Sequence, residues 1–178
     1  LKGAIGMGLG LTLAPVHAAG QGDGASARPR EGDLLVRIGD DSLKPLIPAD
    51  IPPAQAPVMA WAMDAAERIV RSGSRLNRVL LVRLESEALS ASTKGAAADG
   101  VVAYTAICTH SGCDVSDWLD AEQLLYCSCH QTKFDPKDGA RVIEGPAPRS
   151  LPALPLKVVD GQIAVAGPFT ARVGFEEI

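Results

Sequence analysis

Beyond residue 17, every thiol and imidazole of the chain falls into two short boxes, Cys108-Thr-His110-Ser-Gly-Cys113 and Cys127-Ser-Cys129-His130. Each box pairs one Cys with one His, as C-x-H in the first and C-x-x-H in the second, with sixteen residues between His110 and Cys127. Two such pairs make a four-ligand metal site, and a Cys2His2 set suits Zn²⁺ as well as iron because both accept thiolate and imidazole. Ligand type alone therefore leaves the metal open. Cys113 and Cys129 bring the count to six soft groups, more than one tetrahedral zinc needs.

This arrangement resembles the Rieske family, in which two Cys hold one iron of a [2Fe–2S] cluster, two His hold the other, and a disulfide clamps the two ligand loops. The resemblance implies that Cys108 and Cys127 ligate one iron, that His110 and His130 ligate the other, and that Cys113 pairs with Cys129. Downstream, Gly145-Pro146-Ala147-Pro148 is similar to the Pro loop that covers the cluster in quinol-oxidising Rieske proteins. The motifs span residues 108 to 148, and a similar strand layout extends the resemblance over about residues 76 to 178; residues 31 to 75 carry none of it. Two readings of other kinds compete. A zinc-stabilised interaction module gives no reason for a disulfide or a Gly-Pro-Ala-Pro loop, and a four-cysteine disulfide framework leaves both histidines idle.

Replacing two thiolates by neutral imidazoles raises a cluster's potential, to about −150 to +300 mV against about −400 mV for plant-type ferredoxins. Hydrogen bonds to the sulfurs tune it further. Quinol-type members carry Gly, Ser and Tyr at one, two and four residues past the second His, whereas this chain has Gln131, Thr132 and Phe134. Thr132 retains a donor hydroxyl and Phe134 has none. Ser111 stands where quinol-type members have a bulky apolar residue. By contrast, His130-Gln-Thr-Lys-Phe134-Asp135, with Val101-Val-Ala-Tyr-Thr-Ala-Ile-Cys108-Thr-His110 before it, is more similar to the small subunit of periplasmic arsenite oxidase, while the Gly-Pro-Ala-Pro loop is of the quinol type. A Rieske oxygenase needs a second iron site with two further His, and only His17 is spare.

A net charge of −4 and the lack of any Lys/Arg run exclude the basic footprint of a nucleic-acid binder. The 178 residues can hold one domain with a real core. That core must be mostly aliphatic, because only 4% of the residues are aromatic. Residues 1–17 read as a signal or anchor segment: a Lys, an apolar run of about a dozen residues, then Pro15-Val16-His17-Ala18-Ala19. The run is shorter than the roughly 20 residues that span a bilayer. It nevertheless suggests an uncleaved N-terminal tether to the inner membrane and a periplasmic domain, where a disulfide persists. Residues 18–30, rich in Gly, Ala and Ser, predict a flexible tether.

From residue 31 onward, short branched runs separated by Gly, Pro and Asp predict antiparallel strands at Leu34–Ile38, Val79–Leu84, Val101–Ile107, Leu124–Tyr126, Leu156–Val159 and Gln162–Ala166. Asp160-Gly161 predicts a type I′ hairpin, the five prolines of residues 45 to 57 an extended loop, and Asp64-Ala-Ala-Glu67 either one capped helical turn or a loop. The expected fold is all-β: a Rieske-type antiparallel β-sandwich over residues 31–178, with a small cluster-binding subdomain at about residues 107–148, preceded by an apolar signal or anchor helix. The expected function is one-electron transfer through a [2Fe–2S] cluster, one per chain, with no substrate-converting site. The implied partners are a larger redox subunit, molybdenum-containing or of cytochrome b type, and a c-type cytochrome. An arsenite-oxidase-like complex is favoured over a quinol–cytochrome c complex.

Overall fold

The computed structural model describes residues 21–175. The signal or anchor segment lies outside them, and no described helix is long and apolar enough to cross a membrane. In chain order the elements are α1 (Gln21–Ser26), β1 (Leu34–Arg37), β2 (Val58–Met63), β3 (Val79–Arg83), α2 (Ala91–Gly95), β4 (Val101–Thr105), β5 (Asp117–Leu119), β6 (Leu124–Cys127), β7 (Thr132–Asp135), β8 (Arg141–Glu144), β9 (Leu156–Val159) and β10 (Gln162–Val165). They form a six-stranded sheet in the order β4-β3-β2-β1-β10-β9 and a four-stranded sheet in the order β5-β6-β7-β8. Every pairing between named strands is antiparallel. The smaller sheet is inserted between β4 and β9 and carries the second box.

Strands β3 and β4 are buried on both faces, which is why they read as unbroken apolar runs rather than alternating ones. Their period of two sorts side chains between two cores. Val79, Leu81, Val101 and Ala103 join the core of the large sheet. Leu80, Val82, Val102 and Tyr104 face the other way, into a core shared with Leu125 and Phe134 of the small sheet. The even series continues through Ala106 to Cys108, so strand parity delivers the first cysteine to the core between the sheets. The β9–β10 turn confirms the type I′ hairpin, with φ of 49° at Asp160 and 76° at Gly161.

Four strands were not foreseen: β2, β5, β7 and β8. Thr132-Lys-Phe-Asp135 is three-quarters polar and Arg141-Val-Ile-Glu144 half polar, and their pairing comes from the sheet rather than from intrinsic preference. Asp64-Ala-Ala-Glu67 forms a turn and not a helix: the Asp64 carboxylate accepts from the amides of Ala66 and Glu67, and the Asp64 amide donates back to Ile69 O.

The flexible tether expected at 18–30 is corrected over its described part. Residues 21–26 are helical, and those from Gly24 onward are tied to the domain. The fully buried Arg71 guanidinium pairs with Asp33 and donates to Gly24 O. Asn77 Nδ2 donates to Ala27 O at 2.7 Å, and the Gly73 amide to Ala25 O at 2.9 Å. Composition missed this because the fixing groups are backbone carbonyls, which Gly and Ala supply as well as any residue.

Candidate metal centre

The first box leaves β4 as a closed loop. The Cys108 amide donates to Cys113 O at 2.8 Å, the Gly112 amide returns to Cys108 O at 3.1 Å, and Val115 rejoins Ala106 O at 2.8 Å. Gly112 has a φ of 75°, in the region that glycine adopts without cost. The second box begins at Cys127, the last residue of β6, and ends before Thr132, the first of β7, which lies directly across from Cys127. Directly opposed residues share a face of the sheet. Cys127 and Thr132 therefore point the same way, as do Leu125 and Phe134 one step along.

Cys113 and Cys129 form a disulfide that joins the two loops, with Cα atoms 6.6 Å apart. Cys108 and Cys127 are free and buried. Burial pushes the Cys127 thiol up to about 11, the neighbouring Cys108 sulfur adds to the rise, and the amides of Cys129 and His130 oppose it. Two thiols adjacent in an apolar core resist becoming two thiolates unless a cation offsets the charge. The imidazoles of His110 and His130 form a second pair, edge to face with ring centroids 4.5 Å apart. His130 is exposed and His110 partly so.

His110 Nδ1 is buried without a hydrogen-bond partner. An unsatisfied buried nitrogen costs about 1–3 kcal/mol, and a metal accepting its lone pair removes that cost. Among the described residues, no three His, Cys, Asp or Glu side chains converge as donors for a single ion. The donors fall instead into a sulfur pair below and a nitrogen pair toward the surface, which suits a two-iron cluster with unlike ligands at its ends. The residues present fit the group.

The Gly145–Pro148 loop presses on the second box. Gly145 has a φ of 102°, and a Cβ there would lie 2.5 Å from Thr132 Cα and 2.9 Å from Gln131 O. Ala147 is buried in the core that holds Cys108 and Cys127, while Pro146 and Pro148 stay exposed. Thr132 Oγ1 is buried without a protein partner, so its hydroxyl is available to a sulfur. Phe134 is fully buried among apolar side chains in the same core. Ser111 lies exposed at the loop tip, its Oγ 3.8 Å from Cys113 Sγ.

Sequence reasoning missed the ties that hold the first loop from outside. Arg75 Nη2 donates to Gly112 O at 2.7 Å and to Asp114 at 2.8 Å, and Arg78 binds the other Asp114 oxygen at 2.9 Å. Thr109 Oγ1 donates to Arg149 O at 2.6 Å, joining the loop to the end of the Pro loop. Asp114 beside Cys113 was the visible half of the first tie. Its partners, more than thirty residues upstream, meet it only in the fold.

The Rieske [2Fe–2S] domain model matches residues 61–155. The cytochrome bc1 complex Rieske iron-sulfur subunit of Streptomyces lividans is 33% identical over 147 residues, 81% of this chain and 85% of that protein. A putative respiratory nitrate reductase Rieske subunit of Haloferax mediterranei is 42% identical over 106 residues, 58% of this chain and 47% of that protein. Among solved structures, the soluble domain of Rieske protein II from Sulfolobus acidocaldarius overlaps 54% of this chain and 66% of its own at a TM-score of 0.40 and 23% identity. The chain thus spans most of the first relative and about half of the second.

Proposed function

The chain belongs to the Rieske [2Fe–2S] family, and on that premise we propose that it is the electron-transfer subunit of a respiratory oxidoreductase of the quinol–cytochrome c type, working on the outer side of a membrane. Membership brings one [2Fe–2S] cluster per chain and one-electron transfer. When bound, such a cluster takes up and returns a single electron at a potential between about −150 and +300 mV.

The side chains divide the remaining work. Cys108 and Cys127 would hold one iron of the cluster in the apolar core, and His110 and His130 would hold the other toward the surface, where one-electron exchange with partners would be supplied. The disulfide fixes the distance between the loops, and the Pro loop packs against Gln131 and Thr132 at the end of the second box. The buried Thr132 hydroxyl, without a protein partner, would be placed to donate to a sulfur and so favour the more negative reduced state. Phe134 offers apolar shielding without a second donor. The observation that carries the assignment is the pairing of two buried free thiols with two imidazoles across one disulfide-linked pair of loops.

The bc1-type reading rests on the Streptomyces relative and on the closely seated Gly-Pro-Ala-Pro loop. A molybdenum-containing partner of the arsenite-oxidase kind is the second reading, favoured by the resemblance of His130-Gln-Thr-Lys-Phe134-Asp135 to that type. Under either reading, a c-type cytochrome accepts the electron and an N-terminal segment tethers the domain. Purification of the native complex separates the two: b- and c-type haem absorption in stoichiometric amount supports the first, and co-purifying molybdenum supports the second. Ala in place of Cys108, His110, Cys127 or His130 should abolish the cluster's visible absorption, and a variant that retains it would remove that residue from the ligand set.

A further inference from the structure

We propose that a cleft behind the first box binds a small organic carboxylate and that its occupancy is coupled to the redox state of the cluster. The cleft holds about 340 Å³ and is lined by Arg28, Arg75 and Arg172 together with the apolar residues Leu76, Ile107 and Phe175. Its floor includes Gly112 of the ligand loop, where an added Cβ would meet the Phe175 ring at 2.8 Å.

Among the described residues, the charges at the cleft do not balance. Arg75 and Arg78 share one carboxylate, Asp114. Arg28 donates, among the described residues, to neutral acceptors, Leu76 O at 2.9 Å and Asn77 Oδ1 at 3.2 Å. Among the described residues, Arg172 forms no ion pair. Among the described residues one carboxylate, Asp114, thus answers the three arginines of the lining, and Arg28 and Arg172 retain donors suited to the planar fork of a second. The apolar wall adds a requirement that sulfate or chloride does not meet: the anion should carry a hydrophobic body. Few precisely placed polar groups in an otherwise apolar concavity are what a small-molecule site requires.

Coupling follows from position. Gly112, four residues from Cys108 and two from His110, lines the cleft beside Arg28 and Arg172, so an anion on these two arginines adds negative charge beside the ligand loop. It disfavours the further negative charge of reduction, and by linkage the oxidised protein binds it more tightly. This electrostatic part rests on Cys108 and His110 as cluster ligands; binding itself does not.

The test uses the full chain with its cluster, titrated with benzoate by calorimetry and by potentiometry. Benzoate should bind with a Kd of about 1 mM or tighter and should lower the potential saturably. Benzyl alcohol should do neither, and sulfate should bind more weakly than benzoate. Arg172→Gln should weaken benzoate by about tenfold or more, and Arg172→Lys should recover part of the loss. Absence of calorimetric binding, or binding unchanged in Arg172→Gln, would overturn the site. Binding seen only after Glu176→Gln/Glu177→Gln would overturn it as well, since the cleft would then belong to the chain's own acidic residues. Binding without any shift in potential would overturn the coupling and count against the placement of the cluster ligands at the first box.

Discussion

At the scale of single residues, the site is a matter of which donors reach the sulfurs. Thr132 and Phe134 are two apart on β7 and share the face that Cys127 occupies across the strand pair, so a hydroxyl at either position is aimed at the same core. Phe134→Tyr should raise the reduction potential. Taking a bond to a charged group as about 1.5–3 kcal/mol and one-electron transfer as about 59 mV per tenfold, the ceiling is on the order of 100 mV. Thr132→Val should lower the potential, because it removes the donor at nearly constant volume. A redox titration that leaves both variants at the native value, with cluster absorption intact, would show that neither side chain touches a sulfur. The ligand residues were legible in sequence because Cys and His are scarce and their spacing is specific. The Arg75–Asp114–Arg78 tie was not, since surface Arg and Asp are common and only the folded loop selects these three.

At the scale of elements, the strand pair β3–β4 shows how an apolar run becomes functional. Leu80 faces the core that contains both free cysteines, and Leu81 faces the core of the large sheet. Leu80→Ala and Leu81→Ala should each cost about 2–5 kcal/mol in denaturant unfolding. Only the first should speed loss of the cluster's visible absorption under conditions where the chain stays folded. Equal cluster lability in the two variants would contradict the division into two cores. The disulfide acts at the same scale. With a sequence separation of 16 between Cys113 and Cys129, its removal by paired Ser substitution should cost about 3 kcal/mol without deleting a ligand. In the native protein both sulfurs should resist alkylation until reduced. The branched runs made β1, β3, β4, β6, β9 and β10 readable. Strands β5, β7 and β8 were unreadable because their residues are mixed in polarity and acquire strand geometry from hairpin pairing around the ligand loops.

At the scale of the whole molecule, the domain begins earlier than its composition suggests. Gly24 to Arg30 are secured by Arg71, Asn77 and Gly73, so this segment moves with the domain. Arg71→Met leaves the buried Asp33 carboxylate without its partner and should destabilise the fold by about 3–5 kcal/mol, with new proteolytic cleavage between residues 24 and 30. Undiminished stability in that variant would show that the segment is held by its other contacts. The two sheets, the buried thiol pair and the surface imidazole pair together make one claim: that this fold exists to hold a two-iron cluster with unlike ends. Quantifying iron, zinc and acid-labile sulfide in the purified full-length chain tests it most directly. The account predicts two irons and two sulfides per chain, as a [2Fe–2S] cluster requires; a single zinc with no sulfide would contradict it.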